Sequence, residues 1–189
     1  MSKKPATKKS AGWSTVRQAL AAEEKPALIA LIKVLYDAAE VNRDFLHARF
    51  VAAENGSELL EKYRHRIVEQ FFPARGFGEL KLGEARKAIR DYRKATGNIS
   101  GTAELLLAYV ENGTKFTSEY GDINERFYSS IESTLQELAT LLRGEARGLY
   151  PQFVSRLAKV VELSDGIGWG FHDIVSDVIG ALADELGGA

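Results

Sequence analysis

The chain has no cysteine, only one methionine and no long apolar run. Without cysteine it cannot form disulfides, thiolate zinc sites, iron–sulfur clusters or a cysteine nucleophile, and it gains nothing from an oxidising compartment. The longest apolar stretch, residues 27–35, is interrupted by Lys33 and is far shorter than the roughly 20 residues of a membrane-spanning helix. Residues 1–12 carry lysines but lack the apolar region of a secretory signal. We therefore expect a cytoplasmic protein that does not enter a membrane.

The composition is that of an ordinary globular chain, with 45% apolar and 27% charged residues among 189. A chain of this length can bury a real core as one domain. Residues 1–12 are polar and lysine-rich and lack a side chain that could anchor them, so they are predicted to form a flexible basic tail. Residues 13–189 are predicted to form a single α-helical domain.

Apolar residues recur at spacings of three and four along nearly the whole chain, which predicts helices. No segment alternates every two residues over the length of a strand. The expected fold is all-α, a compact bundle of roughly eight helices built from antiparallel helical hairpins. Asn-Gly pairs at 55–56 and 112–113 are predicted to interrupt helices. One early helix is expected to turn an apolar stripe towards the core; the stripe consists of Leu28, Leu31, Ile32, Leu35 and Ala39.

Charge is distributed unevenly, although the net charge is only −1: residues 1–60 sum to +2, residues 61–96 to +5 and residues 97–189 to −8. The basic part includes one helix face that could contact a polyanion. Its residues are Arg86, Lys87, Arg90, Arg93 and Lys94. The sequence isoelectric point of about 6.3 is unlike that of dedicated nucleic-acid binders. We favour attraction between two parts of one fold and leave nucleic acid as the less favoured partner.

Three segments contain more glycine and polar residues than a helix connection needs: residues 75–83, 119–122 and 166–173. Two hypotheses remain open for them. They either meet at one end of the bundle as a ligand site, or their charged groups pair with one another and lock helix ends together. Asp122 is expected to cap a helix, with Glu125 completing a capping box, and Trp169 is expected to be buried. The candidate residues are Arg75, Lys81, Glu119, Tyr120, Asp122, Trp169, His172 and Asp173.

The pair His172-Asp173 resembles the histidine-aspartate doublet of metal-dependent phosphohydrolases, which needs further ligands. A set of His47, His65, His172 and Asp177 can be proposed, but three cations surround His65 in residues 62–66 and no pair of histidines has the i, i+4 spacing of known sites. Glycines 166, 168 and 170 precede a helix, yet no strand precedes them as a dinucleotide motif requires. We therefore predict neither a metal site nor a cofactor.

Three stretches together resemble one known family: FFPARGFGELKLGEARKAIRDYRK at residues 71–94, LLLAYVENGTKFTSEYGDINERFYSSIES at 105–133 and GIGWGFHD at 166–173. The chain is similar over residues 26–180 to the bacterial helical proteins catalogued as domain of unknown function 6155. The resemblance implies a bacterial, cytoplasmic, all-α protein. It implies no active site.

The sequence therefore favours a non-catalytic interaction or binding module, whose partner is a second protein or another copy of the chain. The alternative is a small-molecule or metal-dependent enzyme that uses the segments 75–83, 119–122 and 166–173. The first is favoured because no catalytic set has the correct spacing.

Overall fold

The computed structural model describes residues 12–187, and for residues 52–55 it describes the backbone alone. The predicted tail therefore lies, except for Gly12, outside the described residues. Nine α-helices and one 3₁₀ turn form the described chain, in which there is no strand. They are α1 Trp13–Ala21, α2 Lys25–Ala38, α3 Glu40–Phe50, α4 Ala52–Phe71, α5 Leu82–Thr96, α6 Ile99–Tyr120, α7 Glu125–Arg143, the 3₁₀ turn Arg147–Leu149, α8 Tyr150–Ser164 and α9 Phe171–Leu186. The prediction of an all-α fold is confirmed.

Contacts divide the chain into two compact units, residues 12–43 and 44–187 of the described part, where the sequence alone suggested one domain. The boundary falls within α3. In the larger unit α6 packs against four helices, α4, α5, α7 and α8, while α9 packs against α7 and α8. The larger unit is therefore a helical bundle built around α6.

The position of α6 follows from its sequence. Residues 105–110, LLLAYV, are apolar around the whole helix, and a helix of this kind is stable only when it is surrounded. Thirteen of its 22 residues are buried. Asn98 begins the helix by accepting a hydrogen bond of 2.9 Å from the Gly101 amide.

The prediction that Asn-Gly pairs interrupt helices is wrong at both positions. Backbone hydrogen bonding continues through residues 55–56 in α4 and through residues 112–113 in α6. In α6 the glycine is needed for packing rather than for a turn. A Cβ atom at Gly113 would lie 2.6 Å from Cδ1 of Ile131, so the missing side chain lets α7 approach α6 closely.

The prediction that α2 buries an apolar stripe is also wrong. Leu31, Ile32 and Leu35 are exposed, and Leu28 and Ala39 are only half-buried. The helix belongs to the unit of residues 12–43, which has too few residues to surround it.

No helix between residues 12 and 187 combines the length and apolar character that crossing a bilayer requires.

Replacing Gly113 by alanine is expected to lower the free energy of unfolding by about 1–3 kcal/mol, because the new methyl group overlaps the fully buried Ile131. Alanine favours a helix over glycine by about 1 kcal/mol, so propensity alone predicts the opposite sign. Urea denaturation of the full chain measures the difference.

Gly180→Ala is the matched control, since Gly180 lies inside α9 and an added Cβ would meet nothing within 4 Å. This variant is expected to gain up to about 1 kcal/mol. A gain of similar size in both variants would contradict the close approach of α7 to α6.

Candidate functional site

The three segments that the sequence singled out meet where α6 ends and α7 begins. The ring of Phe77, in the connection between α4 and α5, lies 4.9 Å from the ring of Tyr120. Asp122 lies against Gly168, where an added Cβ would be 3.1 Å from the carboxylate oxygen Oδ2. Residues of all three segments therefore share one end of the bundle.

Tyr128 supports this end from within the bundle. Its hydroxyl donates to Oδ1 of Asp122 over 2.9 Å and lies 2.7 Å from Oγ1 of Thr117, an oxygen that is also 3.1 Å from the Gly121 carbonyl. Burial raises the pKa of Tyr128, and the hydrogen bond to Asp122 raises it too, so the hydroxyl remains a donor at neutral pH. Helix α7 in fact begins after Asn124, whose side chain caps it, and not after Asp122 as expected. The Asp122 carboxylate is thus bound to Tyr128 instead of to the helix start.

Trp169 is not buried, and that prediction is wrong: 61% of its surface is exposed. It lies in the turn between α8 and α9 with a backbone φ of +64°, which is unfavourable for a residue with a side chain. Its ring stacks on Tyr128 with 6.3 Å between centroids, which covers one face and leaves the remainder in solvent. Leu80, in the segment 75–83, has the same kind of strained backbone, with φ of +51°. The only two such residues within 12–187, glycines aside, both lie in these loops.

Three of the predicted polar residues contact partners outside the candidate set. Nδ1 of His172 lies 2.9 Å from the Ser164 hydroxyl, which directs the imidazole towards α8. Lys81 pairs with Glu79, and Glu119 pairs with Lys115 at 3.6 Å.

The remaining two predicted residues, Arg75 and Asp173, are exposed. Within the part of the chain that the structure describes, neither Arg75 nor Lys81 forms an ion pair with Asp122 or Asp173. The charged groups of the three segments therefore do not form the interlocking network that the sequence offered as an alternative.

Histidines and carboxylates do not gather into a metal centre anywhere in the described chain, where no group of three or more is suitably placed. His65 faces Glu69 at 3.5 Å, and His172 has serine neighbours. The set of four ligands that the sequence allowed is therefore not assembled in this structure.

Exposed aromatic rings are what this end of the bundle presents to solvent. Phe77, Tyr120 and Trp169 are 60%, 52% and 61% exposed; we call these three residues the aromatic end. Phe77 packs edge-on against the buried Phe116 at 5.3 Å, and Trp169 rests on Tyr128, so both rings are held by the core. The sequence did not single out Phe77 or Tyr128, because an isolated aromatic residue has no spacing that separates a surface role from a core role.

The predicted basic face is divided in the structure. Lys87 pairs with Asp91 along α5, and Arg93 pairs with Glu145 at 3.9 Å. Arg86 donates to the Ser133 hydroxyl over 3.0 Å, while Arg90 and Lys94 are exposed. Arg126 of α7 lines a groove together with Arg86 and Arg90. No sequence pattern indicated that Arg126 joins these arginines, because it lies on a different helix.

Tyr128→Phe is expected to lower the free energy of unfolding by about 1–3 kcal/mol, because Asp122 and Thr117 lose a buried hydrogen-bond partner. Thermal and urea denaturation measure the loss. Tyr120→Phe is the control: its hydroxyl has no hydrogen-bond partner among the described residues, and the change is expected to stay within about 0.5 kcal/mol. Equal losses in the two variants would refute a supporting role for the Tyr128 hydroxyl.

Comparison with known proteins gave no match to a family model, to a curated protein or to a solved structure. The geometry of the described residues is therefore the basis for a functional assignment. That geometry combines solvent-facing aromatic rings, two of which pack on the core, with polar groups of which His172 and Lys81 already have partners.

Proposed function

We propose that this protein is a non-catalytic interaction module that binds a protein partner through the aromatic end. The observation that carries the proposal is the exposure of Phe77, Tyr120 and Trp169. Contacts with the core residues Phe116 and Tyr128 hold the rings of Phe77 and Trp169 in place. Large, rigid aromatic side chains provide much contact area at low entropic cost and are enriched in the energetic centres of interfaces. Binding a partner would remove these rings from water, which is favourable, whereas in the isolated chain they stay exposed.

The charge around Trp169 suggests the chemistry of the partner. Asp122 lies against the turn that contains the tryptophan, Asp165 precedes this turn and Asp173 follows it, and all three are exposed. Carboxylates beside an aromatic face favour lysine or arginine, which gain both ion-pair and cation–π contacts. We infer that the partner presents a segment in which basic and apolar side chains are interspersed. Residues 97–189 carry a net charge of −8, which favours the approach of such a segment.

The alternative proposal is an enzyme that uses the same three segments. It receives less support, because His172 faces serine hydroxyls, Lys81 faces Glu79 and Asp122 accepts from Tyr128. An acid–base pair needs two groups that reach one substrate atom. The resemblance to the bacterial family named above supports a bacterial and cytoplasmic setting, and these two attributes remain part of the proposal.

The proposal is tested by titrating the full chain into two fluorescein-labelled peptides and following their anisotropy. Both peptides have twelve residues with leucine at the same positions, and they differ in carrying either lysine and arginine or glutamate at the others. Saturable binding of the basic peptide alone is expected. Trp169→Ala is expected to weaken it at least tenfold, as at an interface hot spot, with little loss of stability because the ring is largely exposed.

Val154→Ala is the matched control, since Val154 is an apolar side chain on α8 that is 44% exposed and lies outside the three segments. It is expected to bind the basic peptide like the unaltered chain. Equal binding of both peptides, or full binding by Trp169→Ala, would overturn the proposal. Turnover of a substrate that is abolished by His172→Ala with the fold intact would favour the enzyme instead.

A further inference from the structure

A groove with a volume of about 420 Å³ runs between α5 and α7, on the side of the bundle where both helices flank α6. Its walls come from residues 82–90 of α5 and residues 126–133 of α7. They are formed by Leu82, Gly83, Arg86, Arg90, Arg126, Ser129, Ser130 and Ser133. Three guanidinium groups and three hydroxyl groups therefore line one concave surface, and no carboxylate lines it.

The arginines of this groove differ in how far they are already paired. Arg86 is held by the Ser133 hydroxyl at 3.0 Å and by Glu137 at 3.5 Å, which fixes its guanidinium at the wall. Arg90 and Arg126 are exposed, and neither has a hydrogen-bond or ion-pair partner among residues 12–187. Two unpaired guanidinium groups beside a third one in a fixed position attract an anion strongly.

The serine hydroxyls have fixed positions in the groove, and the helix ends reinforce its preference for an anion. Ser130 is held by the Tyr109 hydroxyl at 2.7 Å, and Ser133 donates to the Ser130 carbonyl, so their oxygens have defined positions. The groove begins at Leu82 and Gly83, the first two residues of α5, and at Arg126, the second residue of α7. Helix N-termini carry partial positive charge, which adds to that of the arginines. Glu84 and Glu125 also lie in these first turns, but neither lines the groove.

We propose that this groove binds the phosphoryl group of a compact ligand, with Arg90 and Arg126 as its main contacts and Arg86 and the serine hydroxyls as positioning groups. Guanidinium forks match the oxygens of a phosphoryl group in charge and geometry. A site of this kind is separate from the aromatic end and does not depend on the function proposed for it.

The charge farther along α5 and α7 distinguishes a compact ligand from a nucleic-acid strand. Farther along the same two helices, Glu137 and Glu145 line a separate hollow, and Arg93 is paired with Glu145. A strand that continued along α5 and α7 would bring its next phosphates against these carboxylates, which costs binding energy. A small phosphorylated molecule ends before it reaches them.

The proposal is tested by calorimetric titration of the full chain with inorganic pyrophosphate at constant ionic strength, with sodium chloride as the blank. Saturable binding at one site per chain is expected. Arg90→Gln and Arg126→Gln are each expected to weaken binding at least tenfold. In a proton–nitrogen spectrum of the arginine side chains, pyrophosphate is expected to shift the Nε signals of Arg86, Arg90 and Arg126.

Lys87→Gln is the matched control, since it removes one positive charge from the same helix at a residue that pairs with Asp91 outside the groove. It is expected to bind pyrophosphate as the unaltered chain does. Absence of saturable binding, or an equal loss in Lys87→Gln and Arg126→Gln, would overturn the proposal, because either result means general charge attraction. If a single-stranded oligonucleotide binds more tightly than pyrophosphate and competes with it, the proposal of a compact ligand is wrong and the groove binds a nucleic-acid strand.

Discussion

Helix α6 must be kept from water over residues 105–110, because this segment is apolar around its whole circumference. The four helices α4, α5, α7 and α8 cover α6, and this covering role determines where each of them lies. Two glutamates of α6 outside the apolar segment are paired where α8 meets the helix. Arg156 of α8 donates to Glu104 and Glu111 over 2.7 Å. Ion pairs of this kind orient the neighbours, while apolar burial supplies most of the stabilisation.

Both candidate binding surfaces follow from the way α7 is joined to α6. Tyr128, near the start of α7, connects the buried core to Asp122 and to the ring of Trp169. The close approach at Gly113 brings α7 against α6, and α5 packs on α6 as well, so a groove is left between α5 and α7. Rigid packing beneath a surface keeps its side chains in position, which lowers the entropic cost of binding.

The two surfaces differ in the chemistry they favour. The aromatic end presents rings and carboxylates, which suit a basic, apolar partner, whereas the groove presents guanidinium and hydroxyl groups, which suit a phosphoryl ligand. A ligand in the groove would contact α5 and α7 together, and α7 also carries Tyr128. Ligands at the aromatic end and in the groove would therefore both involve α7, but they would contact different side chains.

The sequence by itself determined the all-α class, because apolar spacings of three and four persist through the chain and need no tertiary information. It also indicated the three segments with unusual glycine and polar content. It could not decide whether Trp169 is buried or exposed, since one tryptophan between glycines fits either a core or a surface, and only the folded structure shows the ring to be 61% exposed. Nor could it show that Gly113 serves helix packing or that Arg126 joins Arg86, because each depends on a residue of another helix that approaches only after folding. Local periodicity reports which face of a helix is apolar, whereas the identity of what covers that face is a property of the tertiary structure, as the exposed α2 shows.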